Sequence, residues 1–160
     1  VLIAGDWSDI KGRAALAPRV RELLAANRPV MVAELRSFGE TGRLKHQFYG
    51  TKDGDEEIAV IYYMLGESLV RHRAEDLLAA AREFSAFAGG AKIEIDAGGR
   101  AVVPAAHAYY MGRELFSAFT AKGDMQKSWT EIMNDYAAEY RFSCVVHGAL
   151  RSYDWTDLVK

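Results

Sequence analysis

The residues best suited to chemistry lie in one segment, 104–114, and centre on His107. The pattern places His107 at a helix start, where the positive end of the helix dipole lowers the pKa of an imidazole. Tyr110 follows three residues later on the same helix face, and Arg113 lies within two turns. Since a helix N-terminus attracts anions, we predict that His107, Tyr110 and Arg113 bind a small anionic or polar ligand.

A structural interpretation of this segment stays open beside the functional one. A histidine at a helix start can act as a cap residue, and amphipathic tyrosines such as Tyr109 and Tyr110 commonly lie at the edge of a core. Arg113 is the weakest member of the site, because six residues separate it from His107 and the two do not share a helix face. The segment is therefore the leading candidate site, with a packing role as its alternative.

A second pair with chemical potential is Cys144 and His147, which have C-x-x-H spacing. A metal site would need two further ligands, and a nucleophile–base pair would need the two side chains to face each other. Segment 142–150 is predicted as a strand, with a helix as the alternative, and on a strand the two side chains point to opposite faces. Cys144 is therefore expected to pack as a small core hydrophobe. A lone cysteine is also typical of a reducing compartment, which predicts a cytoplasmic protein.

Motifs of the common cofactor and metal sites are absent from the sequence. There is no G-x-x-x-x-G-K-[ST], G-x-G-x-x-G, H-E-x-x-H, C-x-x-C or G-x-S-x-G. The acidic run at 53–57 lacks the glycine and the glutamate that an EF-hand loop requires at its sixth and twelfth positions. We predict neither a metal nor a cofactor, and the sequence leaves open whether the protein is an enzyme.

Charge is balanced along the chain, with 20 basic and 22 acidic residues. The basic cluster Arg71–Arg73 is interspersed with acids at helical spacing, which favours a solvated, salt-bridged face. A predicted hairpin at 43–52 combines basic and aromatic residues, but the acidic run at 55–57 cancels its field. These charges argue against nucleic-acid binding.

Hydrophobic periodicity predicts a single α+β domain over residues 1–160. The expected sheet is mostly antiparallel and built from hairpins, with helices packed on one face and a C-terminal helical hairpin. Glycine-containing turns at 51–55 and 97–99 are taken as the hairpin turns. Strands are predicted at 2–4, 30–35, 43–50, 57–65, 92–96, 100–103 and 142–150, and helices at 17–27, 70–88, 108–119 and 129–140.

The number of aromatic residues indicates that the domain has a pocket or an interface. Seven Phe, eight Tyr and three Trp exceed what one core of this size needs, so some should line a pocket or an interface. Trp155 and Leu158 near the end of the chain should dock on their own domain or on a neighbouring copy. No apolar run approaches the ~20 residues of a membrane span, so we expect no membrane insertion.

The expected function is that of a non-catalytic domain that binds a small ligand or a protein. Such a domain would be regulatory and would self-associate as a homo-oligomer through aromatic surface that includes Trp155 and Leu158. The alternative is a small enzyme without a standard motif, which would act on a small anionic or polar substrate through His107, Tyr110 and Arg113. The richness in Ala, Arg and Gly is associated with bacterial proteins.

Overall fold

The computed structural model describes residues 1–5, 14–38, 54–122, 127–134 and 143–160. Within these ranges the strands are β1 (Leu2–Gly5), β2 (Met31–Glu34), β3 (Ile93–Gly98) and β4 (Phe116–Lys122). The α-helices are α1 (Ala17–Ala25), α2 (Gly54–Met64), α3 (Leu69–Phe87), α4 (Val102–Met111) and α5 (Trp129–Asn134). Short 3₁₀ turns span Gly99–Ala101, Ala149–Arg151 and Trp155–Val159.

The strands form one sheet in the order β2-β1-β3-β4, and every pairing is parallel. Leu2 of the central strand β1 lies opposite Met31 on one side and Ile95 on the other. Parallel neighbours need crossover connections, and α1, α2 with α3, and α4 lie in the three connections between consecutive strands. The prediction of an antiparallel sheet built from hairpins is therefore wrong.

Helices cover both faces of the sheet. Alternate residues of a strand point to opposite faces: Leu2 and Ala4 pack with α3 and α4 in the main core, whereas Ile3 packs with Leu23 of α1. The prediction that helices pack on one face is wrong, because a parallel sheet with crossover helices buries both of its faces.

Helix α3 confirms the predicted central helix. Its apolar stripe is buried. At its start the side-chain oxygen of Ser68 accepts a hydrogen bond from the backbone N–H of Arg71 and so caps the helix. After its end the chain turns through Gly89 and Gly90, which have φ of 71° and 83°. Left-handed φ values of this kind favour glycine. The buried residues of the stripe are Val70, Ala74, Leu77, Ala81 and Phe84.

Both predicted hairpins are corrected. Segment 57–65 lies mostly in helix α2 rather than in a strand, and acidic residues in the first turn of α2 complement the helix dipole; its partner strand at 43–50 lies outside the described residues. The predicted turn at 97–99 is instead the end of β3 and the start of a helix. Val102 and Val103, predicted as strand, are buried in the first turn of α4.

The last third also differs from the predicted helical hairpin. Predicted helix 108–119 ends at Met111, and Phe116–Lys122 is strand β4. Phe116 and Phe119 have helical spacing, but a register irregularity opposite Ile93 and Glu94 brings both of them to the main core from a strand. Of predicted helix 129–140 the structure describes α5, and residues 143–150 form turns and the start of a 3₁₀ segment rather than a strand.

Candidate functional site

A cleft opens at the carboxyl ends of β1 and β3. From β1 the chain leads to β2 on one side of the sheet, and from β3 it leads to β4 on the other, with α1 and α4 on opposite faces. Ligands of open parallel sheets bind at such a switch in strand order, outside the carboxyl ends of the strands. The cleft has a volume of about 400 Å³, and we call it the carboxyl-edge cleft.

Glycine and apolar residues predominate among the described residues that line the cleft, and the charged side chains among them come from three elements. Arg19 lies in the first turn of α1, Asp96 in β3 and Lys122 at the end of β4. Strand pairing places Gly98 opposite Lys122, so β3 and β4 end side by side at this edge. Among the described residues, the lining is Ile3, Ala4, Gly5, Leu16, Arg19, Asp96, Ala97, Gly98, Gly99 and Lys122.

Asp96 links the two cations. Its carboxylate is buried and accepts a hydrogen bond from the ammonium of Lys122, whose side chain is half exposed. Arg19 Nε lies 3.8 Å from Asp96 Oδ2, which is too long for a hydrogen bond. That buried Nε–H has no hydrogen-bond partner among the described residues, while another guanidinium nitrogen of Arg19 pairs with exposed Glu22 at 2.9 Å. The pair with Glu22 is the largest cause of the raised pKa of Arg19.

The turn after β3 completes the cleft. Gly98 and Gly99 line it, and Gly99 has φ of 54°, a conformation that favours glycine. The chain then enters α4 through a 3₁₀ turn, so the positive end of the helix starts at this edge. In hydrolases a sharp strand-to-helix turn presents a nucleophilic serine. Gly99 has no side chain, so this turn offers only backbone groups to a ligand.

His107 lies in the middle of α4 rather than at a helix start. Its Nδ1 is 2.8 Å from the carbonyl oxygen of Val103, and its Nε2 is 3.0 Å from the hydroxyl oxygen of Tyr153. Because a carbonyl only accepts, Nδ1–H donates to Val103 and Nε2 accepts from the Tyr153 hydroxyl. Burial disfavours the imidazolium and lowers the pKa of His107, although the bond to Val103 opposes the shift.

The three predicted ligand-binding residues have different surroundings. His107 packs near the rings of Trp129 and Tyr153, with centroids 5.7 Å and 5.8 Å away. The Tyr110 side chain is exposed, and the guanidinium of Arg113 lies 5.3 Å from the ring centroid of Tyr109. Among the described contacts none joins His107 to Tyr110 or Arg113, and none of the three residues lines the carboxyl-edge cleft.

Cys144 is a core residue, as predicted. It is fully buried, burial raises the pKa of its thiol to about 12, and its carbonyl oxygen accepts a hydrogen bond from Trp129 Nε1 at 2.7 Å. The ring of His147 instead packs at a tilt against the ring of Tyr63, with centroids 3.9 Å apart. Within the described ranges no group of three or more His, Cys, Asp or Glu side chains is placed to hold a metal ion.

The C-terminal segment docks on its own domain, one of the two predicted alternatives. Trp155 and Leu158 are buried in the main core, so their side chains are not exposed for contact with another copy of the chain. The carboxylate of Asp154 accepts hydrogen bonds from the backbone N–H groups of Trp129 and Thr130, which caps helix α5. The tail is thus tied to the domain by both apolar packing and a helix cap.

Sequence reasoning missed Arg19, Asp96 and Lys122. The available signal is an apolar strand that ends in Asp-Ala-Gly-Gly before the apolar residues of α4. The same pattern also predicts a hairpin turn, which is the expectation given above. Comparisons of the chain with protein-family models, with curated proteins and with solved structures found no match. No helix in the described part of the chain is long and apolar enough to cross a membrane.

Proposed function

We propose that the protein binds a small anionic ligand in the carboxyl-edge cleft and does not transform it. The observation that carries this proposal is the convergence of Arg19 and Lys122 on a cleft at the switch in strand order. A guanidinium and an ammonium both donate charge-assisted hydrogen bonds to phosphate or carboxylate oxygens. The backbone at Gly98 and Gly99 can approach such a ligand closely, at the positive end of α4.

The arrangement of the cleft favours binding over catalysis. The position where a strand-to-helix turn would present a nucleophile holds Gly99. An enzyme based on His107 would need a free ring nitrogen, and both nitrogens of His107 are engaged by Val103 and Tyr153. A ligand-responsive regulatory domain needs neither group, because its output is the change in stability or association that the bound ligand produces.

Titration calorimetry with inorganic phosphate and pyrophosphate tests this proposal. Lys122→Gln and Arg19→Gln should each weaken binding by about tenfold, since each removes one charge-assisted hydrogen bond. Arg28→Gln is the matched control, because Arg28 pairs with Glu94 at 2.6 Å outside the cleft lining. The affinity of the wild type should also fall as salt is added. Absence of binding to the wild type, or equal affinities for wild type and Lys122→Gln, would overturn the proposal.

Self-association is a second candidate, favoured by the exposed apolar surface of α2. A row of large apolar side chains along this helix and just after it is exposed by 41% to 78%, which is unusual for a surface helix. The occupant proposed for this surface is a second copy of the chain, since a two-fold pair would bury the same row on both copies. The row consists of Val60, Ile61, Tyr63, Met64 and Leu65.

Light scattering tests the self-association. Met64→Glu should shift the particle mass toward that of one chain, because a charge in the centre of an apolar interface is left without a partner. Phe87→Glu is the control, since Phe87 is 83% exposed at the end of α3 and lies outside the row. A wild type that scatters as a single chain at all concentrations would exclude this candidate.

A further inference from the structure

Asp96 places a negative charge in a cleft whose two cations, Lys122 and Arg19, would otherwise favour an anionic ligand. Its side chain is buried and lines the cleft, and its Oδ2 faces both Lys122 and Arg19. A simple anion bound by these two cations would be repelled by Asp96 and would draw Lys122 away from it. A bound anion alone would therefore leave a buried carboxylate short of hydrogen-bond donors, which is costly.

A hydroxyl group on the ligand removes this conflict. An ionised carboxylate only accepts hydrogen bonds, so the ligand group that faces Asp96 must be a donor. With the anionic head on Lys122 and Arg19, a hydroxyl one or two atoms away reaches the Asp96 carboxylate, because all three side chains line one small cleft. Each of the three charged groups that the described lining contains is then paired with a group of opposite charge or with a donor.

We infer that the ligand is a hydroxylated anion, in which one or more hydroxyl groups lie next to a phosphate or carboxylate head. This inference rests on the proposed function of the carboxyl-edge cleft and adds the class of ligand. The cleft volume of about 400 Å³ lies at the small end of ligand pockets, which suits a polyol phosphate or a short hydroxy acid. Asp96 acts as the group that selects hydroxylated ligands, and Arg19 and Lys122 bind the anionic head.

Two matched pairs of compounds test the inference by titration calorimetry on the full chain. Glycerol 3-phosphate is compared with propyl phosphate, and glycerate with propionate, since the members of each pair differ mainly in their hydroxyl groups. The wild type should bind the hydroxylated member of at least one pair about tenfold more tightly, as expected for a hydrogen bond to a charged group. The pair that shows the effect identifies the head group as phosphate or carboxylate.

Asp96→Asn shows whether this preference comes from Asp96. The variant should lose most of the preference for the hydroxylated compound, while its affinity for the plain anion stays equal or rises. The control is Glu94→Gln, on the same strand and the same face, where the carboxylate pairs with Arg28 and lies outside the cleft lining. If Asp96 only positions the two cations, Asp96→Asn will weaken both members of a pair equally, and that result overturns the inference.

The comparison of hydroxylated and plain compounds on the wild type tests the inference even if Asp96→Asn does not fold. Equal affinities within both pairs, with clear binding of each anion, overturn the inference and leave the proposed function intact. No binding of any of the four compounds, of phosphate or of pyrophosphate overturns the proposed function and the inference together.

Discussion

The hydroxyl of Tyr153 donates a hydrogen bond to Nε2 of His107, with 3.0 Å between the two atoms. The residues are 46 positions apart, and the bond ties the middle of α4 to the start of the C-terminal segment. Trp129 lies against both rings, with centroids 5.7 Å from His107 and 5.5 Å from Tyr153. The imidazole predicted to bind a ligand thus fastens the C-terminal segment to the domain.

Removal of this hydroxyl should destabilise the protein. Tyr153→Phe leaves the buried Nε2 of His107 without a donor, so the free energy of unfolding should fall by about 1 kcal/mol or somewhat more. Tyr110→Phe is the control, because it removes the hydroxyl of a tyrosine that lies on the same helix as His107 and whose side chain is 58% exposed. Urea unfolding of the two variants measures the difference. Equal stabilities would show that the bond to His107 contributes nothing net.

The same histidine should make stability depend on pH. Burial lowers the pKa of His107 in the folded state below its ordinary value of 6.5, whereas the unfolded chain keeps that value. Below pH 6.5 the unfolded state therefore binds more protons, and stability falls as the pH drops toward the lowered folded pKa. Above pH 6.5 the contribution of His107 to stability is complete.

The test compares wild type with His107→Gln. Urea unfolding at about pH 7.5 and about pH 5.5 gives the loss of stability of each protein across the range where a histidine titrates. The wild type should lose more than the variant, and the difference isolates His107 from the other titrating groups. Parallel losses in the two proteins would contradict the assignment.

The sequence predicts only some of the local elements correctly, and it predicts the strand partners poorly. Helix α3 follows from helical periodicity, and strands β1 and β2 follow from short, mostly apolar runs, because these patterns are local. The partners of β3 are β1 and β4 rather than a hairpin neighbour. The Gly98–Gly99 pair suits a hairpin turn and a strand-to-helix turn equally well. What decides between the two is the packing of Val102 and Val103 in the main core beside α3, which local sequence does not encode.

The candidate site could not be predicted from the sequence either, because it too depends on which strands are neighbours. Arg19, Asp96 and Lys122 are far apart in the chain and belong to no motif, and only the parallel order of the strands brings them to one edge. His107 stands out in the sequence because the pattern places it at a helix start, ahead of Tyr110 and Arg113. Its partner Tyr153 could not be recognised, because tertiary packing alone brings the two together.

A buried ion pair gives a third prediction. The guanidinium of Arg73 is fully buried and donates to both carboxylate oxygens of Asp55. It also donates to the carbonyl oxygen of Arg36, two residues after β2 ends. Asp55→Asn leaves that guanidinium without its main counter-charge, which should cost about 3–5 kcal/mol. Guanidinium chloride would mask an ionic effect, so urea unfolding is the suitable measurement.

The control for this pair removes an exposed carboxylate from the same region. Glu75→Gln breaks the exposed pair between Glu75 and Arg71, whose atoms are 2.9 Å apart, and should change stability by less than about 0.5 kcal/mol. A loss below about 1 kcal/mol in Asp55→Asn would mean that the fold tolerates an unpaired Arg73.

Two phenylalanines three residues apart on α3 test the assignment of the main core. Phe84 is 5% exposed and packs in that core, whereas Phe87 is 83% exposed. Phe84→Ala removes a buried ring and leaves a cavity, so the free energy of unfolding should fall by about 3–5 kcal/mol. Phe87→Ala makes the same chemical change on the same helix and should alter stability by less than about 0.5 kcal/mol. Because both variants replace Phe with Ala on the same helix, the difference between their urea midpoints measures mainly the effect of burial. Losses of similar size would mean that the helix presents a different face to the sheet.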